Sequence, residues 1–190
     1  MRRPRPQFNE EIEFRRRRLF KEIKVKRHIS ETTRDQQERR LKLWLEKYSQ
    51  THTNPINKLL HYLFVPPIFF TVLALTNAIK FGTVGKQLEP TAAHILVVFA
   101  VIFYSRLSVP YAALMGIVST ASVYLSEQAE NHCGSSYLII CGAVFGVAWI
   151  GQFVGHKIEG AKPAFFDDLT FLLIGPLWII DRKLKWSASE

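Results

Sequence analysis

Long uncharged stretches follow residue 58 and dominate the hydrophobic pattern of the chain. Three of them contain 20 or more residues, which is enough for a helix to cross the hydrocarbon core of a bilayer. A fourth has only 16 residues but is dense in Ile, Leu, Val and Phe. The stretches cover residues 59–79, 90–105, 107–126 and 131–156. This pattern predicts an all-α, multi-pass membrane bundle of about four transmembrane helices.

A final apolar segment, residues 169–180, differs from the four stretches in length. Its 12 residues include Gly175-Pro176, a pair that commonly interrupts a helix. A segment of this length is too short for a full crossing and favours an interfacial or re-entrant position. We therefore expect a short C-terminal membrane-dipping element after the four-helix bundle.

The charges divide the chain into two regions. Residues 1–50 contain 16 of the 25 Lys and Arg but only 8 of the 16 Asp and Glu, so they carry +8 of the net +9. We predict a basic arm over residues 1–48, helical over residues 34–48, and a membrane-embedded domain over residues 49–190. The arm has no nucleic-acid-binding motif, and we expect it to contact water or anionic membrane lipids.

Basic residues at both ends of the apolar region predict its orientation. The arm precedes the first stretch, and Arg182, Lys183 and Lys185 follow the last apolar segment. Lys and Arg beside membrane segments favour the cytosolic face. Because two cytosolic termini require an even number of crossings, this pattern agrees with four transmembrane helices.

Histidines lie at the ends of two distant apolar stretches. His52 precedes Asn54-Pro55, a helix-start signal, and His61 lies about two turns into the helix that follows. On one straight helix the two would be about 13 Å apart on different faces. A break at Pro55 would let the loop fold His52 back towards the helix that contains His61. A second polar stripe at helical spacing closes the last stretch and contains Trp149, Gln152, His156 and Glu159.

The predicted topology brings these histidines to one membrane face. The first crossing begins at the cytosolic face and the fourth ends there, so His52 and His61 meet His156. A lone interfacial histidine is more often a hydrogen-bonded amphipathic residue than a ligand. Three convergent histidines beside a carboxylate and two amides predict a metal site more strongly. The other three histidines are expected elsewhere: His28 in the arm, and His94 and His132 at the opposite face.

Two blocks of sequence make the chain recognisable, HTNPINKLLH at residues 52–61 and WIGQFVGHKIEGAKPA at residues 149–164. With the later Ile174-Gly175-Pro176, the region 44–186 resembles the membrane dioxygenase family named for metabolism of phytosphingosine to odd-numbered fatty acids. The resemblance implies an Fe(II)-dependent dioxygenase in the α-oxidation of long-chain 2-hydroxy fatty acids, which uses O2, removes one carbon and releases CO2. It implies an endoplasmic reticulum membrane in a eukaryote, and a bacterial inner membrane is equally compatible.

The family's iron ligands map onto three histidines of this chain: His52, His61 and His156. Three imidazoles would leave positions open for a 2-hydroxy carboxylate and O2. Amide and acidic side chains are expected to orient the histidines and so to support catalysis: Asn57, Gln152 and Glu159. Two alternatives stay open, namely Glu159 as a direct ligand in a two-histidine set and His132 turned inward. We expect Lys157 and Lys162 to attract the substrate carboxylate.

Two other protein classes fit the sequence less well. A two-iron desaturase or hydroxylase needs closely spaced histidine clusters, whereas the nearest pair here is nine residues apart and the chain has six histidines. The remaining alternative is a non-enzymatic membrane protein that binds lipid or acts as a scaffold. Such a protein should contain no stoichiometric iron, so its metal content would distinguish it from the enzyme.

Overall fold

The structure is a computed structural model that describes residues 7–82, 89–163 and 170–187. Within these ranges the regular structure is helical, apart from one isolated backbone bridge between Lys80 and Thr91. A 3₁₀ turn, Gly134–Ser136, lies between the fourth and the fifth helix. The helices are α1 (Gln7–Gln50), α2 (Pro55–Asn77), α3 (Ala92–Ser105), α4 (Val109–Cys133), α5 (Tyr137–Glu159) and α6 (Phe171–Ser187). The all-α fold class is confirmed.

The first helix is longer than the sequence predicted. Residues 1–39 form one compact unit and residues 40–190 another. The side chains of residues 12–36 are exposed, and ion pairs one turn apart support the helix, such as Arg18–Glu22 at 3.4 Å. Each pair of this kind stabilises a helix by about 0.2–0.5 kcal/mol. The sequence predicted no helix before residue 34 because this part of α1 has no apolar stripe, and pairs of opposite charge stabilise it instead. The division into a basic arm and a membrane-embedded domain stays a prediction.

Helix α2 begins where the sequence predicted. The side chain of Asn54 accepts a hydrogen bond from the backbone N–H of Ile56 at 2.9 Å, and Pro55 occupies the first turn. An Asn cap followed by Pro satisfies a free N–H and presets the backbone angle for a helix. The chain therefore turns sharply between α1 and α2, and His52 lies in that turn.

The chain turns back between α4 and α5. Gly134 ends α4 with a φ of +56°, a conformation that favours glycine. The hydroxyl of Tyr137 donates a hydrogen bond to the hydroxyl oxygen of Ser126 at 2.7 Å. These two residues would be about 17 Å apart along a straight helix, so the chain reverses direction between them.

Two glycines let α5 approach α2 closely. A Cβ atom at Gly151 would overlap the ring of Phe64, and one at Gly155 would overlap the side-chain oxygen of Asn57. Small residues one turn apart commonly allow helix backbones to pack tightly in this way. The close contact sets His156, the next residue of α5, against the start of α2.

Helix α6 corrects one expectation. The predicted break at Gly175-Pro176 is wrong, because the helix continues through Pro176. Proline inside a helix costs about 3 kcal/mol, and burial of the core-facing side chains of α6 offsets that cost. The hydroxyl of Tyr104 also donates to the carbonyl of Leu173 at 2.7 Å, one turn before the proline. The buried core side chains of α6 are Phe171, Ile174, Leu177, Trp178 and Ile179.

Two helical stretches of the described ranges are long and apolar enough to cross a membrane, by length and composition. They are Pro55–Asn77 and Val109–Glu159, and the second contains both α4 and α5. Only 28% and 22% of the most apolar 18 residues in these stretches are buried, whereas core helices of water-soluble proteins are mostly buried. Ala92–Ser105 is apolar but has 14 residues, fewer than the roughly 20 that a crossing needs. Membrane association is supported, whereas the four-crossing arrangement stays a prediction.

Candidate metal centre

Three buried histidines converge at one end of the helices. His52, His61 and His156 are only 1%, 1% and 5% exposed, and each offers a ligand atom within 4.8 Å of the others. The Nε2 atoms of His52 and His61 are 2.8 Å apart, and the ring of His156 lies 5.0 Å from each of the other two. The structure therefore brings together the residues that the sequence placed at one membrane face.

Backbone carbonyls fix the orientation of two of these rings. Nδ1 of His52 donates to the carbonyl of Tyr48 at 2.6 Å, and Nδ1 of His61 donates to the carbonyl of Asn57 at 2.9 Å. Since a carbonyl oxygen only accepts, both Nδ1 atoms carry a proton. In a neutral imidazole that leaves the Nε2 lone pair free, and here both lone pairs point into the cluster. Metal-binding histidines are commonly held by this arrangement.

The facing nitrogens of His52 and His61 need a positive charge between them. Two lone pairs at 2.8 Å repel unless a proton or a metal ion lies between them. Burial lowers the pKa of His52 to about 4, so a bound proton is disfavoured there at neutral pH. A divalent transition metal would engage both lone pairs together with His156, and neutral imidazole suits iron, zinc, copper or nickel. The residues present therefore fit a metal ion.

Glu159 fastens the end of α5 to the loop that carries His52. One carboxylate oxygen accepts from the backbone N–H of Thr53 at 2.8 Å and from its hydroxyl. The other accepts from the N–H of Asn54 at 2.9 Å and from the amide of Asn57 at 3.0 Å. The carboxylate of Glu159 thus holds the loop and Asn57 in place, and its predicted role in orienting a histidine stays a prediction.

Asn57 connects this clamp to a second histidine. Its side-chain amide donates to Glu159 and to the carbonyl of Thr51 at 3.2 Å, while its backbone carbonyl holds Nδ1 of His61. A single residue thereby links the turn before α2, the end of α5 and the first turns of α2. Its position supports the predicted orienting role, which remains a prediction for catalysis.

An apolar cavity of about 440 Å³ opens directly from the cluster. His61, Gln152 and His156 line one end, and apolar side chains of α2, α3, α5 and α6, together with Ser119 of α4, line the remainder. Gln152 is buried one turn before His156. Its Nε2 and the Nδ1 of His156 have no hydrogen-bond partner within the described residues. An unpaired buried polar group costs about 1–3 kcal/mol, so both atoms are placed to bind a ligand.

Comparison with known proteins agrees with this arrangement. The family model described as 2-hydroxy-palmitic acid dioxygenase Mpo1-like matches residues 39–185. The chain belongs to this Mpo1-like family. The 2-hydroxy-palmitic acid dioxygenase MPO1 of Saccharomyces cerevisiae is 31% identical over 136 residues, which cover 70% of this chain and 73% of the yeast protein. No solved structure matched the chain.

The other histidines of this Mpo1-like chain lie outside the cluster. His132 is exposed in the last turn of α4, so the structure does not turn it inward. His94 is exposed, and its Nδ1 accepts from the backbone N–H of Thr91 at 3.2 Å. His28 is exposed on α1. These positions agree with the separation that the sequence predicted.

The two predicted substrate-binding lysines are on the surface. Lys157 and Lys162 are both exposed, and neither is among the described residues that line the cavity. Lys157 follows His156 directly, and Lys162 lies three residues beyond the end of α5. Their attraction of a carboxylate stays a prediction.

Sequence reasoning missed the aromatic wall behind His52. Tyr48 stacks on the His52 ring at 4.1 Å, and the ring of the fully buried Trp178 lies 5.4 Å away. The guanidinium of Arg182 lies 5.0 Å from the Trp178 ring, which places a cation near the cluster. The spacing of Tyr48 four residues before His52 was a usable signal. Trp178 gave none, because its contact joins segments more than 120 residues apart.

Proposed function

We propose that this protein is an Fe(II)-dependent dioxygenase that shortens long-chain 2-hydroxy fatty acids by one carbon and releases CO2. The observation that carries the proposal is a buried three-histidine cluster that opens directly onto an apolar cavity. A polar site joined to an apolar cavity suits an amphiphile with a charged head and a long tail. The yeast relative is named a dioxygenase of 2-hydroxy-palmitic acid, which is such a molecule.

Iron is the metal that agrees with this chemistry. Imidazole nitrogens suit Fe(II), and three protein ligands leave positions open for other molecules. When bound, Fe(II) would supply the redox chemistry of O2 and a positive charge for the hydroxyl and carboxylate of the substrate. The residues that would hold it are His52, His61 and His156.

The chain itself contributes orientation and a dry environment. The carbonyls of Tyr48 and Asn57 hold two rings in the tautomer that presents a lone pair, so no proton must leave Nε2 before metal binds. Glu159 keeps the loop of His52 against α5. The free amide N–H of Gln152 is available to donate to the substrate carboxylate. The apolar wall excludes water from the carbons beside the reacting group.

A membrane location follows from the same amphiphilic substrate. We place α2, α4 and α5 across the bilayer as helices, and we infer that α3 completes the remaining crossing together with the non-helical residues 89–91 before it. Both termini are then in the cytosol and α6 is at the interface. Outward-facing hydrophobic side chains support this arrangement, for example Phe99 at 60% and Ile139 at 75% exposure. Epitope tags at Met1 and Glu190 should both be accessible from the cytosolic side. Tags that report from opposite sides would contradict the four-crossing arrangement.

The proposed reaction balances without a further reductant. One 2-hydroxypalmitic acid and one O2 give one pentadecanoic acid, one CO2 and one water. The C1–C2 bond breaks, C2 becomes the new carboxyl carbon, and the four electrons lost by the substrate reduce O2. Protein loaded anaerobically with Fe(II) should consume O2 and release CO2 in a 1:1 ratio with 2-hydroxypalmitic acid. Palmitic acid, which lacks the hydroxyl group, is the control and should give neither. A product that keeps all its carbons would contradict the proposal.

A further inference from the structure

We propose that the apolar cavity holds the acyl chain and that its closed end, formed by Leu73 and Val97, sets the preferred chain length. The inference rests on the proposed function for the identity of the head group. It goes further by assigning the residues that determine specificity, which lie far from the histidines along α2 and α3.

The distribution of polarity along the cavity gives it a direction. Its polar atoms include those of His61, Gln152 and His156 at the end nearest the cluster. Along α2 the wall continues through Val65, Ile68, Phe69, Val72 and Leu73, one side chain after another on the same face. Apart from Ser119 and Trp149, the rest of the lining is apolar, and none of it is charged. A carboxylate would therefore be desolvated there without a charged partner, whereas a methyl group fits. The chain therefore enters with its head at the cluster and its terminal carbon at Leu73.

The length of the cavity matches a particular acyl chain. From His61 to Leu73 there are twelve residues of helix, which span about 18 Å. The opposite wall, from His156 back to Phe145, spans about 17 Å on the same basis. With C–C bonds of about 1.5 Å, an extended alkyl chain advances roughly 1.3 Å per carbon, so about fourteen carbons fit. Counted from C3, fourteen carbons correspond to a sixteen-carbon 2-hydroxy acid.

Packed side chains close the far end. Leu73 lines the cavity and belongs to a separate buried cluster with Ala93 and Val123. Val97, which also lines the cavity, is partly buried and packs against that cluster. Ala93 is 0% exposed, Leu73 4% and Val123 6%. Protein interiors of this kind are close-packed, so the end cannot retreat by a methylene group without displacing its neighbours. A longer chain would have to bend or leave its head short of the histidines.

The test compares two single variants. One enlarges a side chain at the closed end of the cavity, and the other enlarges the next residue of the same helix, which faces away from the cavity. Val97→Phe should fill the last part of the cavity and shift the preferred 2-hydroxy acid to a chain shorter by roughly two to four carbons. Val98→Phe is the matched control, because Val98 is the next residue of α3, is 60% exposed and does not line the cavity. Relative kcat/KM over a series of 2-hydroxy acids is the measurement. An unchanged profile in Val97→Phe, or an equal shift in Val98→Phe, would overturn the proposal.

A second measurement uses the unaltered, metal-free protein and does not depend on turnover. A long-chain 2-hydroxy acid with a diazirine at its terminal carbon should, on illumination, label Leu73, Val97 or their neighbours in the cavity wall. Labelling confined to outward-facing positions such as Val98 would overturn the proposal, including when Val97→Phe fails to fold. If the cavity is labelled but no 2-hydroxy acid is oxidised, the acyl site stands and the dioxygenase function fails.

Discussion

The chain contains two groups of histidines that differ in burial, in position and in hydrogen bonding. Members of one group are almost fully buried, converge within 4.8 Å and include two rings held by backbone carbonyls. Members of the other are exposed and lie apart from that cluster. The first group is His52, His61 and His156, and the second is His28, His94 and His132. Burial, a fixed tautomer and convergence distinguish the candidate metal site, and the presence of imidazole alone does not.

A smaller difference separates the members of the buried group. His52 and His61 each donate Nδ1–H to a carbonyl, whereas Nδ1 of His156 has no hydrogen-bond partner within the described residues. The first two rings are held by the turn around Pro55, and the third is positioned by the close packing of α5 on α2. The site therefore depends both on local turn chemistry and on helix packing.

Removing a buried histidine should have the largest effect. His52→Ala, His61→Ala and His156→Ala should each lower iron affinity and turnover by more than about 100-fold, above the 10–100-fold typical when only a supporting partner is lost. Metal content by mass spectrometry and O2 consumption are the measurements. His94→Ala is the control and should be near neutral on both. Comparable losses in His94→Ala and His52→Ala would erase the distinction between the two groups.

Loosening the Glu159 clamp should have a smaller effect than removing a ligand. Glu159→Gln removes the negative charge that the loop donors of Thr53 and Asn54 share, and we expect a loss of about 10–100-fold in iron affinity. Glu127→Gln on the exposed side of α4 is the matched control. If Glu159→Gln removed iron as completely as His156→Ala, Glu159 would be a ligand and the three-histidine assignment would be wrong.

Acid should destabilise the metal-free protein because His52 is buried in the folded chain. The pKa of His52 in the folded chain is lowered by burial from 6.5 to about 4. As the pH falls from 6.5 towards 4, the unfolded chain takes up a proton that the folded chain refuses, so the free energy of unfolding decreases. The loss reaches at most about 3 kcal/mol at 1.36 kcal/mol per pKa unit. Denaturant midpoints at pH 7 and pH 4 measure it, and about 2 kcal/mol of the loss is expected already at pH 5.

The control variants separate His52 from other titrating groups. His52→Gln should reduce this pH dependence without abolishing it, since His61 and His156 are also buried, whereas His94→Gln should keep it in full, since His94 is exposed. An identical slope in His52→Gln and the unaltered protein would show that burial of His52 is not what the slope reports.

Deleting residues 1–33 should have the smallest effect. These residues lie within the unit 1–39 and outside the region 39–185 that matches the family. We expect kcat/KM and iron content to stay within about twofold of the full chain, the scale of exposed-surface changes near 0.5 kcal/mol. Complete loss of turnover in a correctly inserted, truncated protein would make the arm part of the site.

The sequence was most informative where local chemistry decides the structure. Asn54 and Pro55 marked the start of α2, and the break there correctly predicted that His52 returns to His61. The stripe containing Gln152 and His156 was read from helical spacing, and both side chains line one cavity. These features depend on neighbours within one or two turns, which a pattern along the chain contains.

Contacts between distant segments were beyond the reach of the pattern. The sequence predicted only that residues 169–180 lie at the membrane interface. That prediction does not say which helix the segment packs against, so the contact between Trp178 and His52 could not be expected. The closed end at Leu73 and Val97 likewise depends on how α2 and α3 pack. The residues of α1 before 34 lack an apolar stripe. Oppositely charged residues four positions apart could have indicated that the helix begins earlier.

X-ray absorption at the iron edge tests the central claim most directly. The purified protein, loaded with one equivalent of Fe(II) and freed of unbound metal, should retain one iron per chain with scattering from three imidazole rings. His52→Ala should show fewer imidazoles or no retained iron, and His132→Ala should match the unaltered protein. A chain that retains no stoichiometric iron, or an iron with two imidazoles and a carboxylate in the unaltered protein, would contradict the three-histidine site.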